Sequence, residues 1–333
     1  MACTITDDWS YRGFKTVILE NELIRATVLP DAGAKIHEFI SKSSGHDFMY
    51  HHPHVECRQP VFGVNVDNWW TGGMDEAIPT GHPCNYKGED YPFLGEAWSL
   101  SWNYQIRKIS DTEVCLYLRR PLIISPLVIE RWISLREGDM TLNFRHRITN
   151  TGTTPFEFLW GLHPGFAITP DYRIDIPAGE MQIEESVPDN RLGMSGTHYN
   201  WPYAADKNGN MVDMRKVAPP SSGTMDFHYA TGLKAGWLAL TDTKRMEGVA
   251  LVFRKDVFKS IWLWLVYGGW RNIYVAAVEA WTGYPAKLSD AVDHGKYSIL
   301  KPGETLECET RLMIYKGFKE ITSIDFEGNL TGI

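Results

Sequence analysis

Basic clusters, paired cysteines and long apolar runs are all scarce in this sequence. Its 333 residues carry 33 Lys and Arg against 41 Asp and Glu, for a net charge of −8. Without a Lys/Arg-rich block, neither nucleic acid nor an anionic membrane is an expected partner. No stretch of about 18 apolar residues suggests a membrane span, and no basic segment followed by an apolar run suggests a secretion signal.

The five cysteines, Cys3, Cys57, Cys84, Cys115 and Cys308, are scattered and show no CxxC spacing. A disulfide framework and a zinc site are therefore not expected, and a reduced, cytoplasmic location is. The GxGxxG, Walker A, GxSxG and HExxH patterns are also missing, which argues against dinucleotide, phosphate-loop, esterase and zincin sites.

Strand-type patterns run through most of the chain, whereas convincing amphipathic helices of about 12 residues or more are missing. In Met140–Thr149, apolar side chains recur at every second position, as in a half-buried strand. The even spacing of such runs predicts one all-β domain, a sandwich or barrel, over residues 1–333. The predicted strands are Glu22–Pro30, Lys35–Ser41, Glu113–Arg119, Leu127–Leu135, Met140–Thr149, Gly236–Leu240, Gly248–Arg254, Ser260–Val266, Ile273–Ala280 and Thr305–Ile314.

Aromatic residues are abundant, with 13 Trp, 15 Tyr and 14 Phe. A large β core accounts for them, because aromatic side chains favour strands and bury much area. A sugar-binding cleft is the alternative, since the C–H faces of sugar rings stack on Trp. Composition alone favours the core.

Glu279 ends an apolar run in the stretch VEAWTGYP. A Glu at a strand end commonly reaches solvent or an Arg. Between Val278, Ala280 and Trp281, however, its carboxylate is expected to be partly desolvated, which disfavours the anion and suits a general base.

His163 lies in FLWGLHPGFAI, between aromatic and turn-forming residues. A histidine in such surroundings is often a satisfied core residue. It is also a candidate proton donor, because imidazole titrates near neutral pH.

The stretch from Asn68 to Trp102 shows weak strand patterning and reads as a system of loops. An ordered surface loop pinned by aromatic residues is one interpretation, and a binding loop whose acids hold sugar hydroxyls is the other. No known metal-ligand spacing is met, so no metal site is expected. The candidate substrate contacts are Asn68, Asp75, Glu76, His82, Glu96, Trp98 and, beyond this stretch, Trp281.

Together these stretches resemble the aldose 1-epimerase, or galactose mutarotase-like, superfamily. The segment NELIRATVLPDAGAKIHEFISKSSGHDFMY is similar to its opening hairpin, ITNTGTTPFEFLWGLHPGFAI to its "N-x-G … HP-x-F" segment, and VEAWTGYP to its "E-P-W-T" segment. The resemblance implies a large antiparallel β-supersandwich that interconverts sugar anomers without a cofactor. It also implies that Glu279 is the general base and His163 the general acid.

Two positions depart from the family pattern. Leu94 stands where many members carry a second His, and Ala280 replaces the Pro that follows the catalytic Glu. His82 is a candidate substitute for that second His. These changes favour an unusual sugar, for example acidic, modified or oligomeric, over plain galactose or glucose.

Two other functions remain open on the same scaffold: a lyase or hydrolase acting on a modified or oligomeric sugar, and a non-catalytic sugar-binding protein. A hydrolase would need a second carboxylate beside Glu279, from Asp75, Glu76 or Glu96. A small sugar is the expected partner, and either a monomer or a homodimer is compatible with the sequence.

Overall fold

A computed structural model describes residues 3–333, and it consists mainly of strands. Strands account for 51% and helices for 5% of it, which confirms the predicted all-β class. Within residues 3–333, no helix has the length and apolar character that crossing a bilayer requires.

The predicted strand runs are confirmed to within a few residues at either end, and Lys35–Ser41 matches at both. The strands up to residue 166 are β1 (Thr4–Thr6), β2 (Ser10–Tyr11), β3 (Phe14–Lys15), β4 (Val17–Glu20), β5 (Ile24–Leu29), β6 (Lys35–Ser41), β7 (His46–Asp47), β8 (Gly73–Ala77), β9 (Cys84–Tyr86), β10 (Glu89–Tyr91), β11 (Asn103–Lys108), β12 (Glu113–Pro121), β13 (Leu127–Arg136), β14 (Thr141–Asn150), β15 (Phe156–Phe158) and β16 (Gly161–Phe166). The strands after it are β17 (Tyr172–Asp175), β18 (Glu180–Val187), β19 (His198–Asn200), β20 (Tyr203–Ala205), β21 (Met211–Asp213), β22 (Thr224–Thr231), β23 (Trp237–Asp242), β24 (Glu247–Phe253), β25 (Ser260–Tyr267), β26 (Tyr274–Trp281), β27 (Ser298–Leu300), β28 (Thr305–Lys316), β29 (Ile321–Ile324) and β30 (Leu330–Gly332). The helical segments are one α-helix, α1 (Leu288–Asp293), and the short 3₁₀ turns Val66–Asn68, Ala97–Ser99 and Pro220–Ser222.

The described chain groups into two compact units. Unit 1 comprises residues 3–163 with Thr282–Thr310, and unit 2 comprises Pro164–Trp281 with Arg311–Ile333. That residues 1–333 form a single domain stays a prediction.

Unit 1 contains two series of neighbouring antiparallel strands, β1-β4-β5-β6-β8 and β11-β12-β13-β14. The predicted alternation in β14 is confirmed, because Phe144 and His146 are buried whereas Arg145 between them is exposed. Opposite Phe144, β13 places Ile133, which is also buried. Side chains at every second position thus build the core of this unit.

Unit 2 contains the antiparallel series β26-β25-β22-β18-β19 and β24-β23-β17. Nearly every residue of β25 and β26 is buried, which explains why their sequences are continuous apolar runs without alternation. A separate core cluster joins Trp237, Val252, Tyr315 and Ile321.

Residues 184–223 are rich in Gly, Pro, Asn and Asp, a composition that predicts one long loop, and the structure corrects this prediction. This segment contains the end of β18, the short strands β19, β20 and β21, and a 3₁₀ turn. Strands β20 and β21 form a hairpin of three residue pairs. Strands this short give too few positions for a period of two to stand out among Gly, Pro, Asn and Asp.

Candidate functional site

His163 ends the first of the two chain segments of unit 1 and lies in β16. It is 8% exposed, and its imidazole meets the Trp70 ring edge to face, with the ring centroids 5.5 Å apart. Trp70 in turn stacks on Tyr50 at 5.5 Å. The aromatic setting predicted for His163 is therefore present.

Trp70 also connects His163 to a buried ion pair. Its indole Nε1 donates to Oδ2 of Asp75 at 3.0 Å. Lys35 Nζ donates to the same oxygen at 2.6 Å and to the carbonyl of Gly72 at 2.6 Å. Both charged side chains are at most 5% exposed. Buried pairs persist where further hydrogen bonds accompany the charge contact, as they do here.

Two glycines permit this packing. Gly72 and Gly73 have φ of +87° and +80°, a region that side chains disfavour. A Cβ at Gly72 would lie 1.9 Å from the Tyr50 carbonyl oxygen.

The expectation that the stretch from Asn68 to Trp102 is a system of loops is wrong for residues 73–77, which form β8 with all five residues buried.

Glu76, the neighbour of Asp75 in β8, belongs to a second buried network, since successive side chains of a strand point to opposite faces. Its carboxylate lies 3.2 Å from Arg131 Nη1 and 3.5 Å from His146 Nδ1, and it accepts from Trp160 Nε1 at 2.9 Å. Burial by itself raises the pKa of Glu76, but the interactions with His146, Arg131 and Trp160 outweigh it and hold that pKa below its ordinary value.

Glu96 and Trp98 are likewise engaged within unit 1. Glu96 is fully buried and accepts from the backbone N–H groups of Ile123, Ile124 and Ser125 and from the Ser125 hydroxyl, at 2.6–3.0 Å. Trp98 is 2% exposed and donates to the Phe93 carbonyl. These hydrogen bonds give both residues a structural role. That either residue binds substrate stays a prediction, and the hydrogen bonds do not support it.

His82 is half-buried beside the position where a second histidine was expected. The centroids of its ring and the Phe93 ring are 4.7 Å apart. The Leu94 N–H donates to the carbonyl of Gly81, the residue before His82, at 2.7 Å. Burial, aided by Lys287, lowers the pKa of His82 to about 4. His82 is thus neutral near pH 7, a state suited to hydrogen bonding rather than to donating a proton. Asn68, by contrast, is exposed at the end of its 3₁₀ turn.

Glu279 belongs to unit 2, in β26, and is 2% exposed. Trp281 Nε1 donates to its Oε2 at 2.7 Å. Directly opposite on β25 stands Trp262, whose ring stacks on that of Trp281 with centroids 3.7 Å apart and an interplanar angle of 8°. The predicted burial of Glu279 among apolar and aromatic residues is confirmed.

Sequence reasoning missed the partners that hold these carboxylates. Lys35 and Arg131 follow ordinary strand patterns, and nothing in the sequence links them to Asp75 and Glu76. The one available signal was a charged residue, Lys35, at the first position of a predicted strand. Among residues 3–333, no group of three or more His, Cys, Asp or Glu side chains is arranged to hold a metal ion.

A family model described as a domain of unknown function, DUF5107, matches residues 5–93. Solved structures match far more of the chain. A candidate aldose 1-epimerase from Klebsiella pneumoniae aligns over 94% of this chain and 83% of its own, with a TM-score of 0.74 and 14% identity. A galactose mutarotase related enzyme from Lactobacillus acidophilus aligns over 90% and 97%, with a TM-score of 0.61 and 16% identity. The fold is galactose mutarotase-like.

A TPR-domain containing protein from Parabacteroides distasonis shares the same fold over 94% of this chain, with a TM-score of 0.66 and 15% identity. The chain spans 48% of that protein. These TM-scores establish the fold, and with it the predicted β-sandwich class, although the identities are low. They do not establish an activity, because one fold supports many functions.

Proposed function

We propose that this protein is an aldose 1-epimerase-type enzyme that interconverts the anomers of a sugar by general acid–base catalysis. The observation that carries the proposal is the Glu279 carboxylate, 2% exposed and hydrogen-bonded to Trp281 inside an aromatic group of unit 2. A carboxylate is retained in such surroundings when it has a chemical task or a compensating partner. The likeness to mutarotase-like structures supports proton transfer to and from a sugar as that task.

In the proposed reaction, Glu279 takes the proton from the O1 hydroxyl while His163 gives one to the ring oxygen O5. The C1–O5 bond breaks as C1–O1 becomes a carbonyl, which yields the open-chain sugar. Rotation about C1–C2 and the reverse proton transfers then close the ring on the other face. The sugar is neither oxidised nor reduced, so the proposed reaction requires only these two proton-transfer groups. Each group contributes a rate acceleration of about 10²–10⁴-fold.

The proposed substrate is a sugar other than plain galactose or glucose. Leu94, buried and with φ of +58°, replaces the second histidine of the family pattern, and the neighbouring His82 is neutral near pH 7. A neutral imidazole can still donate one hydrogen bond to a ring oxygen. We assign His82 that part.

Glu279→Gln and His163→Gln test the proposal. Each variant keeps a similar side-chain volume but loses its proton-transfer group, so kcat for anomer exchange should fall by about 10²–10⁴-fold with sugar affinity largely kept. Glu89→Gln and His198→Asn change exposed residues of the same types and should retain full activity. Exchange that survives Glu279→Gln would show that the base is assigned wrongly.

The hydrolase alternative gains no support from the structure. The three acids suggested as a second carboxylate, Asp75, Glu76 and Glu96, are each buried and bound to charged groups or to several N–H donors. The binding-protein alternative rests on Leu94. It predicts sugar affinity without anomer exchange in the wild-type protein.

A further inference from the structure

The sequence makes Trp281 a candidate substrate contact, but its side chain is completely buried. It stands two residues after Glu279 in β26, so both side chains leave the strand on the same face. The indole N–H then reaches Oε2 of Glu279 at 2.7 Å. The strand itself builds this contact, because residues at i and i+2 are neighbours on a pleated face.

The indole is held in place from a second direction. Trp262 stacks on it at 3.7 Å and is itself paired with Glu279 across β25 and β26. Trp281 pairs in the same register with Ser260. An indole N–H can only donate, so this hydrogen bond favours the ionised carboxylate over the protonated one.

Along this face of β26, β25, β22 and β18, the other charged side chains are distant from Glu279. The same face of β26, β25 and β22 carries no Lys, Arg, His, Asp or Glu besides Glu279. The titratable side chain in line with Glu279 across these strands is Tyr229, which pairs with Trp262. On β18, three strands from β26, Glu180 and Glu185 share the face but are exposed, about 14 Å away at the usual strand spacing. Within these strands, the Trp281 indole N–H is a donor in direct contact with the Glu279 carboxylate, at a distance where it stabilises the charge.

We propose that Trp281 is a positioning residue for Glu279: its N–H fixes the orientation of the carboxylate and keeps it ionised at neutral pH despite its burial. This inference rests on the proposed role of Glu279 as the general base. It predicts that removing the donor makes the carboxylate easier to protonate, so the base form persists only at higher pH.

Trp281→Phe removes the donor and keeps an aromatic ring against Trp262. The acid limb of the pH profile of kcat/KM for anomer exchange should move to higher pH by about one unit, the effect of losing one hydrogen bond to a charged group. Site-specific replacement by 3-benzothienylalanine, in which sulfur takes the place of N–H, should cause the same shift with almost unchanged shape. Near-UV circular dichroism and thermal unfolding check that both proteins fold.

Trp262→Phe is the matched control, because it alters the same stack but leaves the Trp281 donor in place. Its acid limb should coincide with that of the wild-type protein. An equal shift in Trp262→Phe, or no shift in the benzothienyl protein, overturns the proposal, since packing rather than the N–H would then govern Glu279.

A second readout does not depend on turnover. Carbon-13 NMR of labelled Glu side chains, with the Glu279 signal assigned by its loss in Glu279→Gln, follows the carboxylate directly. Its titration midpoint should rise in the benzothienyl protein. Absence of anomer exchange together with this rise would refute the proposed function and leave the positioning contact standing, whereas an unchanged midpoint would refute the contact.

Discussion

The buried pair Glu76–Arg131 allows a prediction of both sign and size. Both side chains are at most 1% exposed, and 3.2 Å separates their closest charged atoms. Arg131 also donates to the carbonyl of Ala34, and its guanidinium lies 5.3 Å from the centre of the Trp102 ring. Taking away either member leaves the other charge in a site that water does not reach.

Glu76→Gln should lower the free energy of unfolding of this region by about 3–5 kcal/mol, because Arg131 is left buried without its carboxylate, and Arg131→Met should do the same. The double variant removes both charges. Its Gln can still accept from Trp160, and its main loss is the donor to Ala34, about 1–2 kcal/mol. The two single losses therefore should not add, and the coupling energy should reach about 4 kcal/mol or more.

Hydrogen–deuterium exchange measures this cycle locally. A 333-residue chain with two compact units need not unfold in one step. Urea-dependent exchange of amides in β13 and β14 therefore reports the relevant opening. Additive losses in the double variant would contradict the account, since they would mean that each charge is stabilised independently.

The same pair has a defined pH dependence. The pKa of Glu76 is lower in the folded than in the unfolded protein, so its stabilising contribution is present above the unfolded value and is lost as pH falls through the folded one. The stability difference between the wild-type protein and Glu76→Gln should therefore shrink on acidification.

Two further predictions concern His82 and the glycine turn before β8. The folded pKa of His82, about 4, lies below its unfolded value, so this residue should reduce stability progressively as pH falls from about 6.5 toward 4. Imidazole NMR at pH 5 should show His82 neutral. His82→Asn should flatten the dependence of the free energy of unfolding on pH over this range. Gly72→Ala should cost more than about 2 kcal/mol in urea denaturation, because strain at φ of +87° adds to the clash with the Tyr50 carbonyl. Gly88→Ala has the same φ with no atom within 4 Å and should cost less; equal losses would show that the clash is relieved.

Sequence patterns predicted the regular strands well because local periodicity reflects burial directly. The runs Lys35–Ser41 and Ser260–Val266 have the composition of strands, and the structure agrees with the bounds of both to within one residue. Short elements were not predicted from the sequence. A three-residue strand such as β19, or the six-residue helix α1, contains less than two repeats of its period.

Strand β8 was missed for a different reason. Its sequence, GMDEA, places two acids side by side in a segment that is entirely buried. Burying Asp75 and Glu76 is possible because Lys35 and Arg131 meet them from 40 and 55 residues away. Propensity and periodicity carry no information about such distant partners, so the acids suggested an open loop.

The candidate site was predictable in part. The settings of Glu279 and His163 follow from their immediate neighbours, and both burial and aromatic contacts agree with the expectation. The part played by Trp281 was not apparent, because a Trp beside a buried acid reads equally well as a sugar platform. Only the hydrogen bond and the absence of exposed ring surface distinguish the two.

Two-dimensional exchange NMR on reducing sugars, each compared with its methyl glycoside, tests the central claim most directly. The panel includes neutral sugars and uronic acids, with and without the protein. The account predicts accelerated exchange between the anomer peaks of a free sugar and none for the glycoside, which has no O1 proton for Glu279 to remove. Release of methanol from a glycoside, or binding to free sugars without faster exchange, would contradict it.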